Sequence, residues 1–393
     1  MMTARNFAHD FVPAWIGLAQ DRQFGGVVER LDGDGHPVQG EPKTTLVQAR
    51  TIFALAQLYL VTGNKTLLVA ARDIHAFMAT HLRLPHGGYR YSVEPNGVPG
   101  TDPKGAVCRA YDQSFALLAL VTLQKADPAR VDNHAIDDLW SFIETLVEPA
   151  TGALYEDDVM AGRGARVGDR RAQNPQMHML EALLQAYDLT GESQWLHRAT
   201  AYVALAERYF IDPSTGAVRE FVAHDLSPLQ GAEGERREPG HQYEWAWLLE
   251  RFVELGGDGK VKPLADRMAA FADSHGVRQS QDALDGAPFD AVDAGGRVTE
   301  ATHLLWPLTE AGKLACLHHL QGRQGAADRA RELERLIFSF YFNPTGLRWV
   351  NQLDGAGSVL WDDALSRLIY HVLLFVTEGA RAGVWVLDHH QAD

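Results

Sequence analysis

Three stretches of this 393-residue chain carry one phrase: Glu148-Pro149-Ala150-Thr151-Gly152, Asp212-Pro213-Ser214-Thr215-Gly216 and Asn343-Pro344-Thr345-Gly346. Each is an acid or amide, a proline and a Thr-Gly turn, and an alternating, strand-like run follows it. Weaker copies start at Phe24, His86 and Asp285. With Gly26, Gly88, Gly152, Gly216, Gly286 and Gly346 as markers, the steps are 62, 64, 64, 70 and 60 residues. A period of that length means a repeated supersecondary unit, because one such unit cannot bury its apolar face alone. Six units fill the chain.

Between the markers lie apolar runs at helical spacing. They predict twelve helices, two per unit, at 6–19, 44–62, 66–82, 109–126, 132–147, 173–190, 194–210, 240–255, 261–276, 299–320, 324–341 and 361–378. Gly191 after the sixth, with a new amphipathic run directly behind it, has the short link of a helical hairpin. Six such hairpins either stack as an open solenoid or close into a ring. A solenoid needs polar ends, yet the first and last helices, FVPAWIGLA and LIYHVLLFV, are apolar. The expectation is an all-α (α/α)6 barrel, one domain over residues 1–393, with short β-hairpin-like loops between repeats.

Acidic side chains outnumber basic ones 51 to 36, and the net charge of -15 would repel a phosphate backbone with no Lys/Arg run to offset it, which argues against nucleic acid. Cys108 and Cys316 lack CxxC spacing, so a disulfide framework or thiolate metal site is not expected and a reducing cytoplasm fits. Asp10 and Pro13 interrupt the start where a signal peptide needs an apolar run, and no window reaches eighteen apolar residues. A cytoplasmic chain without membrane contact is expected; the assembly state stays open, a homo-oligomer included.

In such a barrel alternate helices run parallel, so the even-numbered ones can line the inside with their N-terminal ends at one rim. The residues that packing explains least fall on those helices: Arg50, Tyr111, Asn174 with His178, His241 with Glu244, Trp306, and Arg367 with His371. On 174–187 an apolar stripe of Met177, Leu180, Leu184 and Tyr187 runs beside a polar one of Asn174, His178, Glu181 and Gln185, which taken alone reads as a solvated face. His241 and Glu244 lie one turn apart beside Trp245 and Trp247; a buried carboxylate there would orient the imidazole and raise its basicity. A lone histidine in LSRLIYHVLLF is ordinarily core, but Arg367 one turn earlier cannot be buried cheaply unpaired, so the pair is expected to face a wet cavity. Arg50 invites the same argument. His303, Trp306 and Glu310 share a face, with Pro307 implying a kink; Asp112, Asp157, Asp158 and Glu300 read as caps or solvated charges.

No GxGxxG opening a helix, GxxxxGK[ST] or GxSxG pattern supports a dinucleotide, P-loop or hydrolase-elbow reading. Three chemistries remain. Histidines of near-neutral pKa can move protons at a carbon next to a carbonyl; the His-x-x-Glu pairs 178/181 and 241/244 could share a metal ion; two opposed carboxylates could hydrolyse a glycosidic bond. One convincing carboxylate against three histidines favours the first, for which neither metal nor cofactor is needed.

The stretches QNPQMHMLEALLQAY, EPGHQYEWAWLLER, WPLTEAGK and RLIYHVLLF, in this order and spacing, resemble the N-acylglucosamine 2-epimerase superfamily over nearly the whole chain. That resemblance implies an (α/α)6 barrel acting on sugars, and the PGH-Q-aromatic-E-W form is similar to the mannose isomerase branch, which interconverts mannose and fructose. It implies His241 and His371 as the proton-transferring pair, Glu244 supporting His241, and His178 handling the sugar's oxygens and ring opening. Arg50, Tyr111, Asn174, Trp306 and Arg367 would line a site for a monosaccharide such as mannose or fructose. A sugar 2-epimerase and a non-catalytic sugar-binding barrel stay open as alternatives, and Arg50 with Arg367 keeps anionic, glucuronate-like sugars open.

Overall fold

The computed structural model describes residues 2–131, 133–342 and 346–387. Asp132, at the start of the fifth predicted helix, and Asn343, Pro344 and Thr345 of the third turn phrase lie outside them. Among the described residues twelve long helices alternate between two concentric rings. They are α1 (4–19), α2 (Thr45–Thr62), α3 (65–82), α4 (Ala110–Ala126), α5 (Asn133–Thr145), α6 (Asn174–Thr190), α7 (193–210), α8 (Pro239–Glu254), α9 (Lys262–His275), α10 (Leu305–Leu320), α11 (326–341) and α12 (Ile369–Arg381).

The hairpin links follow from local chemistry. Gly63 ends α2 at φ +73°, and Asn64 opens α3 by accepting from Thr66 N at 3.0 Å. Gly191 ends α6 in the same way at φ +71°. Even helices are apolar on nearly every side and form the inner ring: α2 packs on α4, α4 on α6, α6 on α8, α8 on α10, α10 on α12, and α12 closes back on α2. An outer helix such as α5 buries a single stripe, Ile136, Leu139, Trp140, Phe142 and Ile143. The outer seam closes where Ala4 N donates to Glu334 Oε1 at 2.8 Å and Phe7 packs against Phe338 and Phe342. The (α/α)6 barrel is therefore closed, and its core is the wall between the two rings.

The repeated phrase occurs where each outer helix turns back. Six short antiparallel bridges mark the turns, Gln20 with Val27, Arg83 with Tyr89, Val147 with Leu154, Ile211 with Val218, Val277 with Pro288 and Phe342 with Trp349. In four repeats a buried glutamine from the first turns of the next inner helix clamps the turn: Gln48 on Val27, Gln113 on Tyr89, Gln176 on Leu154 and Gln242 on Val218. Each takes the backbone N–H at 2.7–3.0 Å and gives its amide to the carbonyl at 2.8–3.1 Å. Gly26 sits at φ +75°, and a Cβ there would lie 2.7 Å from Gln48 Oε1, so this turn needs glycine for both conformation and space.

The strands differ from simple hairpins. Short segments ahead of the inner helices pair with the following repeat: Lys43–Thr44 with Ser92–Val93, Arg170–Ala172 with Phe221–Ala223, His303–Leu304 with Gln352–Leu353, and, across the closure, Ala364–Leu365 with Arg30–Leu31. Single bridges Arg109 to Asp157 and Arg237 to Val292 supply the two remaining steps of this belt. Two predicted helix starts move accordingly. Residues 298–304 are mainly extended and α10 begins at Leu305, not 299; α12 begins at Ile369 after a 3-10 turn, not at 361. Pro307 thus falls in the first turn of α10, where no intrahelical N–H bond is lost, and produces no kink. No helix among the described residues is long and apolar enough to cross a membrane.

Candidate active site

A cavity of about 400 Å³ opens at the rim where the inner helices begin. It brings together all nine residues singled out from the sequence: Arg50, Tyr111, Asn174, His178, His241, Glu244, Trp306, Arg367 and His371. Every inner helix or the turn just before it contributes, which is why residues spread over more than three hundred positions face one space. A second cavity of about 500 Å³ is walled by the middle and C-terminal parts of five inner helices and by residues 383–387, and no histidine lines it among the described residues.

Each of the three site histidines spends Nδ1 on a carboxylate. His178 meets Glu181 Oε2 at 2.9 Å, His241 meets Glu220 Oε2 at 2.7 Å, and His371 meets Glu310 Oε1 at 2.8 Å. Such a bond fixes ring orientation and leaves Nε2 as the nitrogen for chemistry. The polar stripe of α6 is therefore not a solvated face: His178 and Glu181 are 2% and 4% exposed.

The three imidazoles are tuned in opposite directions. Burial lowers the pKa of His241, but the carboxylates of Glu220 and Glu238, at 2.7 and 3.2 Å from Nδ1, outweigh it and lift the value to about 10. His371 is held well below 6.5 by burial, with Arg50 and Lys313 adding to the effect. His178 is lowered to about 4, mainly by burial against the opposing pull of Glu181. At neutral pH the cavity holds one imidazolium and two neutral imidazoles, which is the separation an acid and a base need.

Two expectations are corrected here. Glu244 makes no ion pair with His241, although its charge adds to the raising of that ring's pKa; its Oε1 lies 3.9 Å from His178 Nδ1 and clusters with Glu310 and His371, while Glu220 and Glu238 hold His241. Nor is there one convincing carboxylate: Glu29, Glu238 and Glu244 all line the cavity, so a count of histidines against acids does not by itself separate proton transfer from glycoside hydrolysis. His303 also leaves its supposed partners, lying ahead of α10 with Nδ1 on Pro288 O at 2.7 Å. Of the charges read as caps or solvated groups, Asp157 caps a short helical turn and Glu300 is exposed, but Asp112 is buried on Arg109 and Asp158 Oδ1 accepts from Cys108 N.

Beneath the cavity lies a feature that the sequence reading passed over although WPLTEAGK contains it. Lys313 and Glu310, one turn apart on α10 and both fully buried, pair at 2.6 Å, so the carboxylate holding His371 is itself held by an ammonium. Tyr370 of α12 donates to Glu181 of α6, on the opposite side of the inner ring. Arg50 is bracketed by Phe115 and Tyr370 at 4.2 and 4.8 Å and donates to Tyr111 Oη at 2.8 Å. Among the described residues no carboxylate lies within ion-pair distance of it.

Trp306 lies beside two of the three imidazoles, its ring 4.7 Å from that of His241 and 5.8 Å from that of His371. Gly240 makes this possible. A Cβ at that position would lie 2.5 Å from two carbons of the indole, so the Pro-Gly-His entry to α8 lets Trp306 sit flush on its first turn. Three groups in the site, His178–Glu181–Glu244, Glu220–Glu238–His241 and Glu244–Glu310–His371, bring donor atoms within 4.8 Å of one another, as does an exposed fourth, Asp32–Asp34–His36, that does not line the cavity. In each of the three site groups, the imidazole Nδ1 already serves a carboxylate, so an ion would be taken by Nε2 and by carboxylate oxygens not spent on the ring.

The sequence model of the N-acylglucosamine 2-epimerase family matches residues 25–374. The chain is 28% identical over 391 residues to a mannose-6-phosphate isomerase of Rhizobium meliloti, covering 93% of each, and 26% identical over 294 residues to a D-mannose isomerase of Thermobifida fusca, covering 72% of this chain and 70% of that one. In fold it is similar to a cellobiose 2-epimerase from Bacillus thermoamylovorans, with a TM-score of 0.82 at 18% identity over 95% of this chain and 97% of that one. The chain is an enzyme that belongs to the N-acylglucosamine 2-epimerase family of sugar isomerases and epimerases.

Proposed function

We propose that the enzyme is an aldose–ketose isomerase that interconverts D-mannose and D-fructose through an enediol(ate), in the cytoplasm and without a metal. The observation that carries this reading is the pair of imidazoles in opposite protonation states next to Trp306, beside a guanidinium free of carboxylates. Isomerisation needs a base for the C2 proton, an acid for the oxygens and a cation for the charge that develops between them. His371, neutral and with Nδ1 engaged by Glu310, offers the Nε2 lone pair to the C2 proton and returns that proton to C1. His241, kept as an imidazolium by Glu220 and Glu238, gives a proton to O1 and recovers one from O2, so the hydrogen count balances. Arg50 faces the oxyanion, a contribution of about 3 to 4 kcal/mol for a well-placed donor. His178 is suited to ring opening, and Tyr111, Asn174, Glu244, Trp306 and Arg367 to holding the sugar.

A 2-epimerase is the second reading. It is favoured by the fact that more than one imidazole reaches the cavity, since return of a proton to the opposite face of C2 gives the epimer. Incubation with mannose in deuterated buffer separates the two: formation of fructose, with deuterium at C1 to the extent that His371 exchanges its proton with solvent, supports isomerisation, and glucose with deuterium at C2 supports epimerisation. Absence of any turnover by the wild type, with mannose still bound, would leave a sugar-binding barrel.

A further inference from the structure

We infer that Arg367 binds an oxyanion carried at carbon six of the sugar, either a phosphoryl ester or a carboxylate, so that the preferred substrate is an anionic hexose; this rests on the isomerase reading above. The cavity wall holds three guanidiniums, and they are not equivalent. Arg109 is neutralised by two bonds to Asp112, at 2.8 and 2.7 Å, and lies over Tyr91. Arg50 is buried to 3% exposure among aromatic rings, close enough to the imidazoles to help depress His371 and His178. Arg367 is the one without an assignment. Its side chain is exposed to the cavity, and among the described residues it has neither a hydrogen bond nor an ion pair of its own.

Two like charges share this wall. Arg50 Nη1 donates to the backbone oxygen of Arg367 at 3.3 Å, so the two residues adjoin, and burial followed by the charge of Arg50 disfavours the Arg367 guanidinium. The carboxylate with most influence on Arg367 is Glu29, which is committed to Thr44, from N at 2.7 Å and Oγ1 at 2.9 Å. Burial pushes Glu29 up to about 7, so it carries a proton part of the time at neutral pH and compensates Arg367 only in part. A neutral sugar, whose hydroxyls can be satisfied by amides, phenols and water, does not need a second free guanidinium. A phosphoryl or carboxylate group does, since a planar fork meets two of its oxygens at once. With C1 and C2 between Arg50 and the imidazoles, carbon six is the end of the hexose most distant from the chemistry, and Arg367 is the more exposed of the two free cations.

The test is steady-state kinetics of the whole enzyme on mannose, mannose 6-phosphate and mannuronate, for the wild type and Arg367→Met, together with calorimetric titration of inorganic phosphate into both. At least one anionic sugar should exceed mannose in kcat/KM on the order of 10- to 100-fold, the worth of one charge-assisted contact, and Arg367→Met should reduce that ratio by a similar factor, chiefly through KM. Phosphate should bind the wild type and not the variant. Equal kcat/KM for neutral and anionic sugars, an anionic-to-neutral ratio unmoved by Arg367→Met, or identical phosphate titrations would overturn the inference. If no sugar turns over, it is the isomerase reading that fails, and the phosphate titration still decides the anion site by the same criterion.

Discussion

Replacing Lys313 with methionine should silence the proposed base without touching the cavity wall. Its ammonium is 2.6 Å from Glu310 Oε2, and Glu310 Oε1 is 2.8 Å from His371 Nδ1. At an effective dielectric constant of about 20, charges 2.6 Å apart attract by about 6 kcal/mol, equivalent to a roughly 10⁴-fold change in a protonation equilibrium. Burial already pushes Glu310 upward, and Lys313 is the main group opposing it. Without the ammonium, Glu310 takes a proton and presents O–H to His371 Nδ1; the ring's own proton then moves to Nε2, where it faces the sugar and blocks abstraction. We expect kcat to fall by about 10² to 10⁴, the usual worth of a positioned base, with KM moving less than about threefold. Loss of one partner of a buried pair costs about 3 to 5 kcal/mol of stability, so folding is checked by circular dichroism and the assay is run well below the melting transition. Glu310→Gln, whose amide also donates to Nδ1, should copy the loss, and the double variant should be no worse than either single one. A Lys313→Met enzyme within about threefold of wild-type kcat, or losses that multiply in the double variant, would refute the relay.

Gly240→Ala puts a methyl group 2.5 Å from the Trp306 ring and should displace the indole by about an ångström, lowering kcat/KM roughly 10²-fold with an unchanged melting curve; unchanged kinetics would show that the Trp306 position is irrelevant. Because the His241 pKa is raised from 6.5 to about 10, its pairing stabilises the fold fully below pH 6.5 and loses that effect as pH rises through 10; the gap in urea midpoint between wild type and His241→Asn should be widest near pH 6, narrow from there and close above pH 10. Gln176→Ala strands the N–H of Leu154, bonded at 3.0 Å, while the C=O keeps the bond from Arg171 Nη2 at 2.8 Å, and should cost about 1 to 2 kcal/mol in urea unfolding; no loss would mean the glutamine clamps do not hold the turns. Exhaustive chelation should leave turnover unchanged, whereas a loss restored by an added divalent cation would move the chemistry onto one of the His–Glu clusters.

Much of the architecture was legible because it is written at short range and then repeated. The Thr-Gly turns recur near 64 residues, the hairpin links carry their own glycine and asparagine caps, and the apolar first and last helices have no solvated face with which to end a solenoid. The same regularity pointed to the first halves of the even helices, and the structure gathers all nine of those residues around one cavity. The belt of strands ahead of the inner helices was less legible. The starts of α10 and α12 were therefore placed 6 and 8 residues too early, because apolar stretches paired to a neighbouring repeat look like continuing helix.

What only the tertiary structure decided is which charge answers which. Helical spacing put Glu244 with His241, but the carboxylates that hold that ring include Glu220, 21 residues away in the turn of the preceding unit, and His371 takes its partner from Glu310, 61 positions off. Local periodicity reports which face of a helix a residue occupies and is silent about the opposing face supplied by another repeat. A proton affinity depends on that opposing face, through burial and through charges a few ångströms away. The chain's own pattern was therefore enough to name the imidazoles, whereas their protonation states follow only from the closed ring that sets Glu220, Glu310 and Lys313 around them.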